Sequence, residues 1–443
     1  MPVKGNARPL PGGRQVCYIR KHHDMHPAPE HPRLSPREPP VIRPVGAVVP
    51  VPAPTPRLPG GPALVPLGEI TCLERVVGLL QQCGLAQVAV VAETADRPAL
   101  DLAGRAGALP VIHSGRRGRL ARIRTGLTAL DPGLRAVFLL PANIPLVRPA
   151  TIRRLLEAYC AGGPALIRPV CCGRPGWPVL LDAGQIPALI AEFPPGGLHA
   201  ALARLAEETV AIEVADEHIR LGLSSPADVE RLREHLARYG LPTEAELNTL
   251  QQRLFPASPG GLAHAQAVAR VALALAQALN AARTGGSEPA LDTALVRAAA
   301  LLHDLAKNRR EHEAEGGRIL RELGFRTIAR IVAAHRDLTP PPGPLTEREI
   351  VYLADKLVAC HHPVTITARF QSKIDQWPDR PDIQADIRRR LANARAVAAR
   401  FEAEAGQSLE TTLAAAGIRL AAQAPGGLRR AGGVAPCTPT RRE

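Results

Sequence analysis

Between Val45 and Tyr239 short apolar runs alternate with amphipathic helical stretches, and after Leu241 only the helical period remains. That switch narrows the possible folds more than any other feature of the chain. Val45 to Val51, Gln87 to Ala92 and Ala136 to Leu140 are short, apolar and rich in valine, as buried strands are. Leu73 to Gln82, Arg97 to Ala106 and Ala150 to Tyr159 carry helical spacing between and after them. The alternation predicts an α/β domain near residues 45–240 with a mostly parallel, doubly wound sheet. The second half predicts an all-α helical bundle near residues 245–423. Its helices are expected at Leu262–Ala282, Leu291–Ala306, His312–Leu323, Thr327–His335, Thr346–Cys360 and Ala385–Glu404. Thr346-Glu347-Arg348-Glu349 reads as a capping box, and Gly324 as a helix stop. The division falls between Tyr239 and Gly261.

Sixteen of the 45 prolines lie in the first 62 residues, a density that supports neither helix nor central strand. Residues 1–44 are therefore expected to form a disordered Pro-rich arm, and residues 424–443 a second loose tail. Within the arm, Cys17, His22, His23, His26 and His31 have no ordered scaffold to make them a metal tract. The net charge of +14 is concentrated at these ends: residues 1–45 carry eight Lys/Arg against three Asp/Glu, and residues 424–443 four against one. The core is only mildly basic and no Lys/Arg stripe interleaves with aromatics, so nucleic acid is not the expected partner. The eight cysteines show no C-x-x-C pair, which predicts reduced thiols in a cytoplasmic protein. A signal-peptide core and a run of 18 apolar residues are both missing from the sequence, so no membrane span is expected.

Inside the apolar run Ala298-Ala299-Ala300-Leu301-Leu302 the chain continues into His303-Asp304. A charged aspartate is costly to bury unless it is paired or coordinated. His264, His312, His335 and Asp355 fall on the neighbouring predicted helices, and histidine and carboxylate are ligands of divalent metals. Each histidine alone reads as a satisfied core or surface residue. Six such positions on successive helices predict convergence on metal. Lys307, one turn beyond His303, is placed to set a positive charge near a phosphate oxygen. The helical half is thus expected to be a metal-dependent hydrolase, with Asp304 and Lys307 as its catalytic pair.

These residues resemble the HD phosphohydrolase superfamily, whose signature of His, His-Asp and Asp is matched by His264, His303-Asp304 and Asp355. The strings His303-Asp304-Leu305-Ala306-Lys307 and Leu353-Ala354-Asp355-Lys356-Leu357 carry the likeness. His312 and His335 are similar to the extra histidines of the superfamily's two-metal branch, which includes phosphodiesterases and dinucleoside polyphosphate hydrolases. The resemblance covers about residues 260–365. It implies two divalent ions sharing Asp304, and hydrolysis of a phosphoester or phosphoanhydride in a nucleotide or phosphorylated small molecule. Mn, Fe and Mg are the metals of such sites, and a His-rich donor set points away from Mg alone.

The segment Ala63 to Val77 resembles the MobA-like nucleotidyltransferases, a family that includes molybdenum cofactor cytidylyl- and guanylyltransferases. The likeness spans roughly residues 45–238 and implies a Rossmann-like nucleotidyltransferase fold. In that family a Gly-rich loop with an Arg and then a Lys holds the triphosphate. Here the loop is Pro50-Val51-Pro52-Ala53-Pro54-Thr55-Pro56-Arg57-Leu58-Pro59. Arg57 matches the Arg, Ala53 and Pro59 replace glycines, and Pro62 stands at the Lys. Proline has no N–H and a fixed φ, so this loop cannot cradle phosphate through its amides. Asn143 stands at the family's metal-binding Asp, and Ser224 at the first Asp of its Asp-Thr-Pro-x-Asp segment. Gly176-Trp177-Pro178 stands where the family tends to have Gly-His-Pro. Arg57, Asn143 and Ser224 are then what remains of a nucleotide site, in a transferase domain expected to be inactive. Two alternatives stay open: a bifunctional molybdenum cofactor nucleotidyltransferase/hydrolase serving a molybdenum-enzyme maturation partner, and a non-enzymatic nucleotide sensor.

Overall fold

The computed structural model describes residues 44–424 apart from 59, 116, 117, 192, 193, 206–208 and 341. The arm up to residue 43, with its histidine tract, and the tail from 425 lie outside the described residues. In chain order the first half runs β1 (Val45–Pro50), the hairpin β2 (Pro66–Leu67) and β3 (Ile70–Thr71), α1 (Cys72–Gln82), β4 (Gln87–Glu93) and α2 (Arg97–Arg105). It continues through β5 (Leu109–His113), α3 (Arg119–Ala129), β6 (Ala136–Leu139), α4 (Pro149–Gly162) and β7 (Leu166–Cys171). β8 (Arg174–Pro175), β9 (Val179–Asp182), α5 (Ile186–Ala191), α6 (Gly197–Ala203), β10 (Thr209–Glu213) and α7 (Pro226–Ala237) complete it.

One mixed sheet takes the order β10-β7-β9-β6-β1-β4-β5, with β8 paired to β7. β1 lies parallel to both β4 and β6, whereas β9 runs antiparallel to β6 and β7. Side chains alternate across the pleat. Ala47, Val49 and Phe138 join one core with Leu73, Val76, Leu100 and Ile152, so α1, α2 and α4 cover that face. Val48, Val137 and Leu139 join the other with Ile123, Leu127, Leu189 and Leu198, under α3, α5 and α6. The sheet is doubly wound, as its alternating sequence predicts. The order of strand addition switches sides between the parallel β1 and β6, the point at which such sheets open a crevice at the strands' carboxyl ends.

Only β1, β4 and β6 of the described strands were expected, and the longer ones that were not are β5, β7, β9 and β10. β5 and β10 are the two edges and expose Leu109, Ile112 and Val210, so they lack the signature of a buried strand. β7 and β9 are interrupted by arginine, proline and aspartate, which mask their apolar period.

The second half is helical: α8 (Glu244–Thr249), α9 (Pro259–Arg283), α10 (Thr293–Leu302), α11 (His312–Glu322), α12 (Arg326–Ala333) and α13 (Glu347–Lys356). After the short pair β11 (Val358–Ala359) and β12 (His362–Pro363) come α14 (Ile366–Ile374), α15 (Pro381–Ala405) and α16 (Leu409–Ala415). α9 is long and apolar enough by length and composition to cross a membrane. Here it is the bundle's central helix, burying Val268, Val271, Ala272, Leu275 and Leu279 in one core with α10, α12, α13 and α15. The expected capping box at Thr346 and Glu349 is present. α10, expected to reach residue 306, stops at Leu302 because apolar periodicity gives way to Lys307-Asn308-Arg309-Arg310. Asn308 and Glu311 take left-handed backbone angles, φ 82° and 52°, and turn the chain back into α11.

The two halves meet at Arg148, the residue before α4. Its guanidinium, 1% exposed, donates to both oxygens of Glu246 on α8 at 2.9 and 3.0 Å and to the Tyr239 carbonyl at 2.8 Å. Glu246 also closes the capping box that starts α8 from Thr243. Asp216 accepts the Arg148 amide, and His218 stands on the far side of the same carboxylate. Every carboxylate in this buried cluster is satisfied by hydrogen bonds, which makes it an ion network joining two layers.

Candidate metal centre

Five helices deliver the six predicted ligands to one place. His264 lies near the start of α9, His303 and Asp304 directly follow α10, His312 opens α11, His335 follows α12, and Asp355 is the penultimate residue of α13. Asp304 is the hub. Its Oδ2 stands 3.6 Å from His303 Nε2 and 3.9 Å from His264 Nε2. Its Oδ1 stands 3.6 Å from His312 Nε2 and 3.7 Å from His335 Nε2. Asp355 Oδ1 faces the first pair, 3.4 Å from His264 and 3.8 Å from His303. Most of these separations exceed a hydrogen bond. They approach the spacing of ligands around a shared ion, roughly 3 Å or a little more.

The far side of three imidazoles is fixed by backbone carbonyls. His264 Nδ1 donates to the Cys360 carbonyl at 2.6 Å, His303 Nδ1 to Ala300 at 2.7 Å, and His335 Nδ1 to Val332 at 2.6 Å. His312 Nδ1 lies 3.1 Å from Glu313. A carbonyl only accepts, so the proton sits on Nδ1 and the Nε2 lone pair faces Asp304. This is how metal-ligating histidines are commonly oriented. His303 Nε2 is buried without a hydrogen-bond partner. An acceptor stripped of water needs a cation or donor, and a divalent ion fits it. Burial pushes the His303 pKa down to about 4, against the pull of Asp304 and Asp355, so the ring is neutral at physiological pH.

Burial alone would raise the Asp304 pKa, but the His335 and His303 rings and the Lys307 ammonium hold it well below the carboxylate range. Lys307 Nζ is 2.5 Å from Asp304 Oδ2, and its side chain is the most exposed of the set at 55%. Asp355 is likewise held low against burial by Lys356 and Arg369. Sequence reasoning gave no role to Lys356, Arg369 or the Cys360 carbonyl. Lys356 adjoins Asp355 in the chain, but Arg369 comes from α14 and no spacing rule connects it to the cluster.

At the α/β crevice the three predicted residues are differently placed. Arg57 is exposed in a turn after β1 where Thr55 and Leu58 exchange backbone hydrogen bonds, 3.3 and 2.9 Å, leaving neither amide for a ligand. Asn143 Nδ2 donates to the Leu223 carbonyl at 2.8 Å, and the Leu223 amide returns a bond to Asn143 at 2.8 Å. Ser224 turns to Asp228, which its hydroxyl meets at 2.7 Å. The residue opposite the Asn143 side chain is Gly222, whose absent Cβ would lie 3.7 Å from Asn143 Nδ2. Asn143 and the Leu223–Ser224 backbone are brought together, while Arg57 stands on the loop of the neighbouring strand.

Residues 56–209 match the MobA-like NTP transferase domain, and residues 261–360 match the HD domain. A phosphoenolpyruvate guanylyltransferase of Rubrobacter xylanophilus is 33% identical over 180 residues, 39% of this chain and 84% of that protein. A nucleotidyl transferase from Methanothermobacter thermautotroptrophicus aligns with 44% of this chain and 98% of its own, at 18% identity and a TM-score of 0.39. A structure from Mycobacterium sp. strain JC1, a homolog of Mycobacterium tuberculosis Rv0371c, covers 44% of this chain and 98% of its own, at 21% identity and TM-score 0.38. HD domains bind divalent metals, so the helical half falls in a class of metal-dependent hydrolases and the α/β half in a class of nucleotidyltransferases. The chain belongs to the MobA-like NTP transferases and joins that domain to an HD domain.

Proposed function

We propose that the helical half, residues 245–423, hydrolyses a phosphoester or phosphoanhydride of a nucleotide or nucleotide-linked small molecule. In this reading the α/β half, residues 45–240, binds nucleotide without transferring it. The observation that carries the reading is the convergence of four imidazole Nε2 atoms on the two oxygens of Asp304, three of the rings (His264, His303 and His335) locked from behind by backbone carbonyls. His264, His303, Asp355 and Asp304 Oδ2 are a donor set for one ion; His312, His335 and Asp304 Oδ1 are a set for a second. Mn or Fe suits so many imidazoles better than Mg alone. Bound divalent ions would supply an acidified water and a polarised phosphoryl oxygen. The chain itself contributes a neutral His303, a shared ionised Asp304 and the Lys307 ammonium at the open side.

The binding-only reading of the α/β half rests on its crevice. The Thr55 and Leu58 amides are spent on each other, Pro54 and Pro56 have none, and Asn143 faces a glycine. The relative's name makes a guanine nucleotide and phosphoenolpyruvate the first probes, whereas the link to molybdenum-enzyme maturation comes through family name alone.

Metal analysis of the purified protein, with turnover of a nucleotide panel under Mn²⁺ or Fe²⁺, tests the hydrolase. Asp304→Ala is expected to lose both metal and turnover. Full-length Asp304→Ala incubated with GTP or CTP, phosphoenolpyruvate and Mg²⁺ tests the other half: pyrophosphate release at an enzymatic rate would restore the bifunctional reading. Metal-loaded protein that binds nucleotides and cleaves none would instead be a sensor.

A further inference from the structure

Three fixed cations stand on the two carboxylates of the metal centre. Lys307 Nζ meets Asp304 Oδ2 at 2.5 Å, Lys356 Nζ meets Asp355 Oδ2 at 2.8 Å, and an Arg369 guanidinium nitrogen meets Asp355 Oδ1 at 3.0 Å. Glu313, beside His312, is cancelled by Arg336 at 3.1 Å. Lys307, Lys356, Arg369 and Arg336 stand against Asp304, Asp355 and Glu313, so these ion pairs leave the pocket net positive before any divalent ion enters. The cations are also one-sided. All three serve the oxygens on the His264–His303–Asp355 side, and among the described residues only His312 and His335 pair with Asp304 Oδ1.

The three are not equally committed. Lys356 is nearly buried and spends itself on Asp355 and on the His335 carbonyl at 2.9 Å. Arg369 has one nitrogen on Asp355, while its Nε is shielded from solvent with no partner. A guanidinium offers such nitrogens along one edge as a fork that matches two oxygens of a phosphate.

We propose that this centre takes a terminal phosphate dianion, as in a phosphomonoester or the end phosphate of a nucleotide, and that Arg369 holds it. The inference rests on the phosphohydrolase reading above. An internal diester carries one negative charge and two substituted oxygens, so it offers the fork fewer acceptors and the pocket less compensation. A terminal phosphate brings two charges and three free oxygens.

The test uses full-length protein loaded with Mn²⁺, assayed on p-nitrophenyl phosphate and bis(p-nitrophenyl) phosphate and titrated with Mn²⁺ and with inorganic phosphate. The wild type is expected to favour the monoester at least tenfold in kcat/KM. Arg369→Gln should cut that preference and the affinity for inorganic phosphate at least tenfold each, with Mn²⁺ bound as tightly as in the wild type or more tightly. Arg369→Lys should recover part of the phosphate affinity. A wild-type preference for the diester would overturn the proposal. So would an Arg369→Gln protein with weakened Mn²⁺ and unchanged phosphate binding, since Arg369 would then only position Asp355. Arg369-dependent phosphate binding with neither ester cleaved would sink the hydrolase reading and leave the phosphate site standing.

Discussion

Arg148 lays its guanidinium 4.4 Å from the ring centre of Phe325. The residue five positions past Asn143 in the crevice loop thus touches the N-cap of α12, the helix that leads to His335. Arg148→Ala would leave Glu246, 0% exposed, without its cation. Breaking a buried pair from one side costs about 3–5 kcal/mol. Denaturant unfolding should show a loss of that size, and a loss under about 1 kcal/mol would mean the two halves are held by other contacts.

His303 makes the metal-free protein sensitive to mild acid. Its pKa falls from 6.5 in the open chain to about 4 in the fold, through burial. Between these values the unfolded chain binds a proton that the folded chain refuses, so stability is full above pH 6.5 and declines as pH falls toward 4. The shift corresponds to roughly 3 kcal/mol. Chelator-treated wild type should lose stability across this window, and His303→Gln should flatten the slope.

Gly317 on α11 faces the Ala329 carbonyl and Ala333 on α12, and a Cβ there would sit 2.9 Å from each. Gly317→Ala is expected to force the two helices apart at a cost of about 1–3 kcal/mol. Because α11 carries His312 and α12 leads to His335, the same change should weaken binding of one Mn²⁺ more than the other in calorimetry.

Asn143→Asp should not restore a working transferase. The amide's N–H meets the Leu223 carbonyl, and a carboxylate there would set oxygen against oxygen. The expected outcome is a loss of about 1–3 kcal/mol in thermal unfolding, with no pyrophosphate release from GTP.

The candidate metal cluster was legible because it breaks a pattern: charged and imidazole groups interrupt helices whose other positions are apolar, and an interruption is visible in one dimension. The strands of the inner sheet showed themselves the same way, through uninterrupted valine and alanine. Edge strands β5 and β10 did not, since one exposed side dilutes their hydrophobic period. Arg148, Gly222 and Arg369 were invisible for another reason. An arginine before a helix, a glycine in a loop and a basic helix face are ordinary in sequence, and only the approach of distant segments gives them a partner.

The carbonyls that hold His303 and His335 belong to Ala300 and Val332, three residues earlier on the same strand of chain, at the ends of α10 and α12. A helix end has such oxygens to spare. The imidazoles are therefore aimed by the act of winding those helices, without help from any ion. Metal loading is thus expected to be a separate, reversible event on an already folded protein. A chelator should then empty the site without unravelling the bundle.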